Sequence, residues 1–241
     1  GAYAYGWTFG KEPVAGVTPI ENMLAEIARP VDPRIWKSLG TLPKLGKATE
    51  PAAPRALRAR DKRDAFASLR AHADRFAAVD KGPGRPVQVA TPLLLSGMTD
   101  AAIDVLSREL SPFGLEPVQA GGGSAIVSAA KQASARFVDG GSIGVQLVRG
   151  DIQATATGTV TYLEGQRLLG FGHPMLNAGQ VGLATCTSRV VHVLSSQQRS
   201  FKMAEALAPR GTLIHDRQAA IVVDQTSRAD MLPMRITLKG V

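Results

Sequence analysis

Residues 142–174 read SIGVQLVRGDIQATATGTVTYLEGQRLLGFGHP, and this stretch decides the fold class. Its runs are rich in Val, Ile, Thr and Tyr, side chains that fit a pleated, half-buried surface. Gly150-Asp151 and Glu164-Gly165 fall between those runs as turn residues, so SIGVQLV, IQATATGTVTYL and QRLLG predict successive hairpin-linked strands. Arg149-Gly150-Asp151 spells an adhesion tripeptide, but Gly-Asp between two strands is ordinary hairpin chemistry and reads as a turn. Strand-rich sequence resumes at 181–194 and 212–223.

Upstream of this β-rich part, residues 86–141 predict a compact βαβ-like unit. VQVATPLLL is a strand, Thr99 an N-cap, and Ile103, Leu106, Leu110 and Phe113 recur at helical spacing. Gly114 stops that helix and LEPVQA returns as a strand. Gly121-Gly122-Gly123-Ser124 follows, a Gly-rich loop that matches neither phosphate-binding spacing. Residues 1–28 predict two short strands and a helix, with Thr18 and Glu21 at capping-box spacing and Pro19 suited to the first turn. Between these parts, residues 29–85 hold Pro30, Pro33, Pro43, Pro51 and Pro54, so 29–54 reads as an extended exposed connector. An amphipathic helix follows to about residue 79, with Phe66, Leu69, Ala73 and Phe76 on one face. The expected fold is mixed and β-rich (α+β), a barrel or sandwich in segments 1–28, 29–85, 86–141 and 142–241.

The 241 residues carry 28 Lys+Arg and 20 Asp+Glu, a net charge of +8, and are 44% hydrophobic. That composition excludes a disordered chain and a collagen-like repeat. No window approaches the roughly 18 apolar residues of a membrane-spanning helix. The start GAYAYGW shows no signal peptide and reads as a cut edge. The charge is local: residues 29–85 hold 14 cations and 6 anions, and the remainder is balanced at 14 each. On the basic helix Asp61, Asp64 and Asp74 interleave with the cations, so 55–85 reads as a solvated face and no nucleic-acid partner is expected, although binding of nucleic acid or an anionic surface through 55–85 is a weaker alternative. The single cysteine, Cys186, has no partner for an intrachain disulfide.

Gly170-Phe171-Gly172-His173-Pro174 is the densest local anomaly. A histidine placed where the chain leaves a hairpin can present its ring to a cleft, and imidazole is the side chain suited to proton transfer near neutral pH. A half-buried histidine satisfying a loop carbonyl fits the same residues. His192, within an apolar run, reads as a core or edge-strand residue; His215-Asp216-Arg217 reads as a strand end with local charge pairing; His72 reads as solvent-facing. Residues 173, 192 and 215 lack metal-ligand spacing, so neither metal nor cofactor is expected.

Two stretches, GAYAYGWTFGKEPVAGVTPIENML at 1–24 and ATGTVTYLEGQRLLGFGHPML at 156–176, resemble bacterial proteins with the SpoIVB-type serine peptidase domain. The resemblance implies chymotrypsin-like β-barrel elements, with the opening block as the segment after the nucleophile. It implies a general-base role for His173, a peptide or protein substrate, and an extracytoplasmic location. The family's Gly-Met-Ser-Gly-Ser-Pro type motif is absent, and Ser96-Gly97-Met98 has the letters in another order. The expectation is therefore a portion of a serine endopeptidase whose nucleophile lies upstream of Gly1, in a segment with which this chain would pair. The alternative is a non-catalytic binding or scaffold module on the same barrel.

Overall fold

A computed structural model of the chain describes residues 3–7, 14–33, 87–88, 90–120, 135–194 and 201–237. Its elements are β1 (Tyr3–Trp7), β2 (Val14–Val17), α1 (Ile20–Ile27), β3 (Val87–Gln88), β4 (Thr91–Ser96), α2 (Asp100–Leu110) and β5 (Leu115–Gln119). They continue as β6 (Ser142–Val148), β7 (Gln153–Glu164), β8 (Arg167–Gly170), β9 (Gly179–Leu194), β10 (Phe201–Asp216) and β11 (Ile221–Asp224). The mixed, β-rich class is as expected. The basic helix within 55–85, the Gly121–Ser124 loop and His72 lie outside the described residues.

One eight-stranded sheet runs in the order β5-β4-β7-β6-β9-β10-β11-β8, and β8 pairs back onto β7. The pairings β7-β6-β9-β10-β11-β8-β7 therefore close an antiparallel ring. A 12-residue β7 makes the closure: Ala154–Ala156 pair with β4 on one edge, and Val160–Glu164 pair with β8 on that same edge further along. Where β7 is flanked by β4 and β6, residues 154–157 are buried on both faces; beyond, its exposure alternates. A second sheet, β2-β1-β3, holds the opening block.

The strands that read as continuous apolar runs divide their side chains between two cores. Leu168, Leu213, Ile221 and Val223 point inward with Ile143, Val145, Val160 and Phe171. Their neighbours Leu169, Ile214 and Val222 point outward and are covered by Met23 and Ile27 of α1. Full burial of a Met or Ile side chain contributes about 1.5–3 kcal/mol, which is what seats α1 on the β8–β11 wall. Arg167 secures the helix end, its guanidinium donating to the carbonyls of Ile27 (2.6 Å) and Arg29 (3.2 Å).

Two expectations are corrected here and a third is narrowed. The connector does not leave the barrel at residue 29. Glu26 holds Arg29 in a two-point ion pair, and Asp32 exchanges hydrogen bonds with the Gln180 side chain through its own N–H (2.8 Å) and carbonyl (2.9 Å). Thr18 does not cap α1: Pro19 occupies the N-cap, and the Thr18 hydroxyl is used elsewhere. Of the two readings of His192, the edge strand is the one found and the core is not. His192 lies on β9 beyond Thr187, where pairing to β6 ends, and is exposed beside Val191 and Val193.

The βαβ-like unit is present as β4-α2-β5, with β4 and β5 parallel. Thr99 accepts from Ala102 N, Gly114 adopts a left-handed φ of 71°, and Ile103, Leu106 and Leu110 pack on the core. Ser96-Gly97-Met98 forms the β4–α2 turn. No described helix is long and apolar enough to cross a membrane.

Candidate functional site

The hairpin β7–β8 delivers the chain to Gly170, and the next two residues reverse it. Phe171 has φ 68° and Gly172 φ 80°, both left-handed. Gly172 N donates to Gly170 O at 2.8 Å, so Phe171 is the centre of a three-residue turn of the strained, positive-φ kind. For a bulky side chain such a conformation costs about 1–3 kcal/mol and persists only where surrounding contacts impose it. Two do. Phe171 N donates to Thr159 O at 2.9 Å, extending the β7 pairing, and the Phe171 ring is buried in the barrel core against Gly158. A Cβ on Gly158 would stand 2.2 Å from both Cδ1 and Cε1 of that ring, so glycine is required there by close approach.

The reversal places His173 behind Phe171, ring centroids 5.5 Å apart, and leaves it 9% exposed. His173 Nδ1 lies 2.8 Å from Pro174 O. A carbonyl only accepts, so Nδ1 carries the hydrogen and the neutral ring presents its lone pair at Nε2. Burial pushes the imidazole below its ordinary value, against the raising effect of the Pro174 bond. The ring thus satisfies a loop carbonyl, as the second reading of this motif expects, and that bond fixes the Nδ1–H tautomer.

The opening block reaches this bend. Thr18 Oγ1 donates to Gly172 O at 2.5 Å across 154 residues of sequence, which ties the β2–α1 junction to the residue before His173. On the far side, Asp216 is fully buried at the end of β10. Its Oδ1 accepts from Met175 N (2.7 Å), and its Oδ2 accepts from Leu176 N (2.8 Å) and Ala178 N (3.3 Å). Burial pushes its carboxyl up, opposed by these amides and that of Asn177. The expected local charge pairing of His215-Asp216-Arg217 is therefore not found. Asp216 serves the loop after His173, and Arg217 lies 3.7 Å from Glu26 of α1. His215 is fully buried between β10 and α1, and burial pushes it down as well. Thr18 and Phe171 are not legible in the sequence as neighbours of His173; Asp216 is a candidate there, but as the partner of its own neighbours.

The two buried histidines set a pH dependence. Each binds its proton less readily folded than unfolded, so their contribution is complete above the unfolded value of 6.5 and is lost as pH falls below it. Unfolding free energy measured in urea should fall between pH 7 and pH 5, by at most about 1.4 kcal/mol per pH unit for each histidine. Asp216, shifted upward, works in the opposite sense in its own titration range. A His215→Gln variant should flatten the profile, and a wild-type profile flat over that interval would show that neither imidazole is held neutral.

Scans of the chain against protein-family models, curated proteins and solved structures return no match.

Proposed function

We propose that the chain is a portion of a SpoIVB-type serine endopeptidase-like protein that hydrolyses a peptide or protein substrate outside the cytoplasm. His173 is its general base, and the nucleophilic serine comes from residues preceding Gly1. The observation that carries the reading is the state of His173: neutral, hydrogen-bonded through Nδ1 to Pro174 O, in a bend to which the opening block is tied by Thr18. In that state Nε2 takes the serine hydroxyl proton as the nucleophile attacks and returns it to the leaving amine. A closed six-stranded antiparallel ring is consistent with one half of the double barrel that the resemblance implies. The family reading itself rests on residues 1–24 and 156–176.

The test is a fluorophosphonate probe applied to the chain with its native preceding residues. A single serine is expected to label, and His173→Ala is expected to slow labelling by about 10⁴-fold or more. No labelling, or labelling indifferent to His173→Ala, removes the catalytic assignment.

The low exposure of His173 favours a second reading, a non-catalytic binding or scaffold module in which the imidazole is a packing residue behind Phe171. That reading expects no labelling from a chain that unfolds cooperatively.

A further inference from the structure

We propose that Asp216 is the carboxylate that orients His173, and that it acts through the peptide group joining Pro174 to Met175 rather than by touching the imidazole. The carbonyl end of that group accepts the His173 Nδ1 hydrogen at 2.8 Å, and its amide end donates to Asp216 Oδ1 at 2.7 Å. The peptide is a single planar, resonance-coupled unit, so a negative charge at its N–H end draws electron density toward its carbonyl oxygen. Hydrogen bonds in such a chain polarise one another, and low dielectric strengthens the effect. Histidine, peptide and carboxylate thus form one relay.

The remaining bonds of Asp216 fit this role. Its second oxygen holds Leu176 and Ala178, so the loop that carries the relay peptide is wrapped around the carboxylate. Asn177 turns the loop through a φ of 53°. Asp216 is itself fixed by the sheet, with β9 Gly179 opposite it on one side and β11 Ile221 on the other. A charge buried at the end of a paired strand cannot drift, and the carbonyl it polarises cannot rotate independently of it. Asp216 is a positioning residue: it keeps the hydrogen on Nδ1 and the lone pair on Nε2. When Nε2 accepts a proton, the same carbonyl, 2.8 Å from Nδ1, accepts from the positive ring. This inference rests on the reading of His173 as a base for its purpose, but its test does not depend on catalysis.

The test is nitrogen-15 NMR of the whole chain at neutral pH. In the wild type, His173 is expected as the Nδ1–H tautomer, with the Met175 amide proton shifted far downfield. Asp216→Asn keeps the size of the side chain and removes the charge and one acceptor. It is expected to lower the Nδ1–H to Nε2–H ratio of His173 by about tenfold, the size of one lost cooperative hydrogen bond, and to move the Met175 amide upfield. The comparison is made while the Leu176 and Ala178 amides remain protected from exchange, so that simple loss of the loop is separated from loss of the relay. Asp224→Asn, whose carboxylate serves Thr226 instead, is expected to change neither signal. An unchanged tautomer ratio in Asp216→Asn overturns the proposal. If that variant does not fold, the wild type decides: His173 found as Nε2–H, or a Met175 amide at an ordinary shift, overturns it equally. A failure of fluorophosphonate labelling would remove the peptidase reading and leave these spectra unaffected.

Discussion

Phe171→Ala should lower the unfolding free energy by about 3–5 kcal/mol, the range for deleting a buried aromatic ring from a packed core. The ring belongs to the inner cluster with Val160, Leu168 and Met175, and it is also what holds residue 171 at φ 68°. Alanine keeps the Cβ that makes this conformation unfavourable while discarding the packing that imposes it. Phe171→Gly loses the same ring but frees the backbone, so it should be less destabilised than Phe171→Ala by about 1 kcal/mol. Urea denaturation of the three proteins measures both differences. If the glycine variant were the weaker of the two, residue 171 would not be held in the left-handed region.

Gly158→Ala is expected to cost about 1–3 kcal/mol, toward the upper end of overpacking, because the new methyl would stand 2.2 Å from two ring carbons of Phe171. The ring has little room to yield, since its own backbone N–H is committed to Thr159 O on the neighbouring residue of β7. The expected relief is displacement of Phe171 and, with it, of the adjoining His173, visible as a change in the His173 ring resonances. The pair of substitutions gives a sharper outcome. With Phe171→Ala in place the methyl introduced by Gly158→Ala has space, so the double variant should be more stable than the sum of the single effects predicts, by about 1 kcal/mol. Strict additivity would mean that Gly158 and Phe171 do not meet.

The strands from β6 to β8 are readable because each signals itself locally, whereas the first part of β10 and the break between β3 and β4 are not. The Thr- and Val-rich alternation of β7, the Gly-Asp and Glu-Gly turns, and the Thr99-to-Gly114 helix all express backbone preferences within a few residues. The closure of the ring is not readable, because Gly170 meets Ile221 through a pairing 51 residues apart that no local pattern encodes. The same limit hid the site. Thr18 and Glu21 satisfy the spacing of a capping box, but a hydroxyl bonds wherever its best acceptor lies, and here that is the Gly172 carbonyl. Phe171 sits between two glycines and reads as part of a flexible bend, whereas tertiary packing makes it core. His192 fits core or edge strand equally by its apolar neighbours, and residues 190–194 are exposed because a strand is covered only as far as its neighbour extends, and β6 ends its pairing at Thr187. Asp216 looked like the partner of the arginine beside it; desolvation and the converging amides of 175–178 decide otherwise.

The closed ring also has a kinetic meaning. Its defining contacts join residue 18 to 172, 32 to 180 and 170 to 221, so loop entropy must be spent on distant segments before their pairing repays it. Chains dominated by such separations fold in milliseconds to seconds rather than microseconds. The bend at 170–174 depends on β7, β8, β10 and the opening block together. It acquires its geometry only once all of them have docked, so the His173–Pro174 hydrogen bond is set at the end of folding, and a partly assembled chain holds that ring in no single orientation.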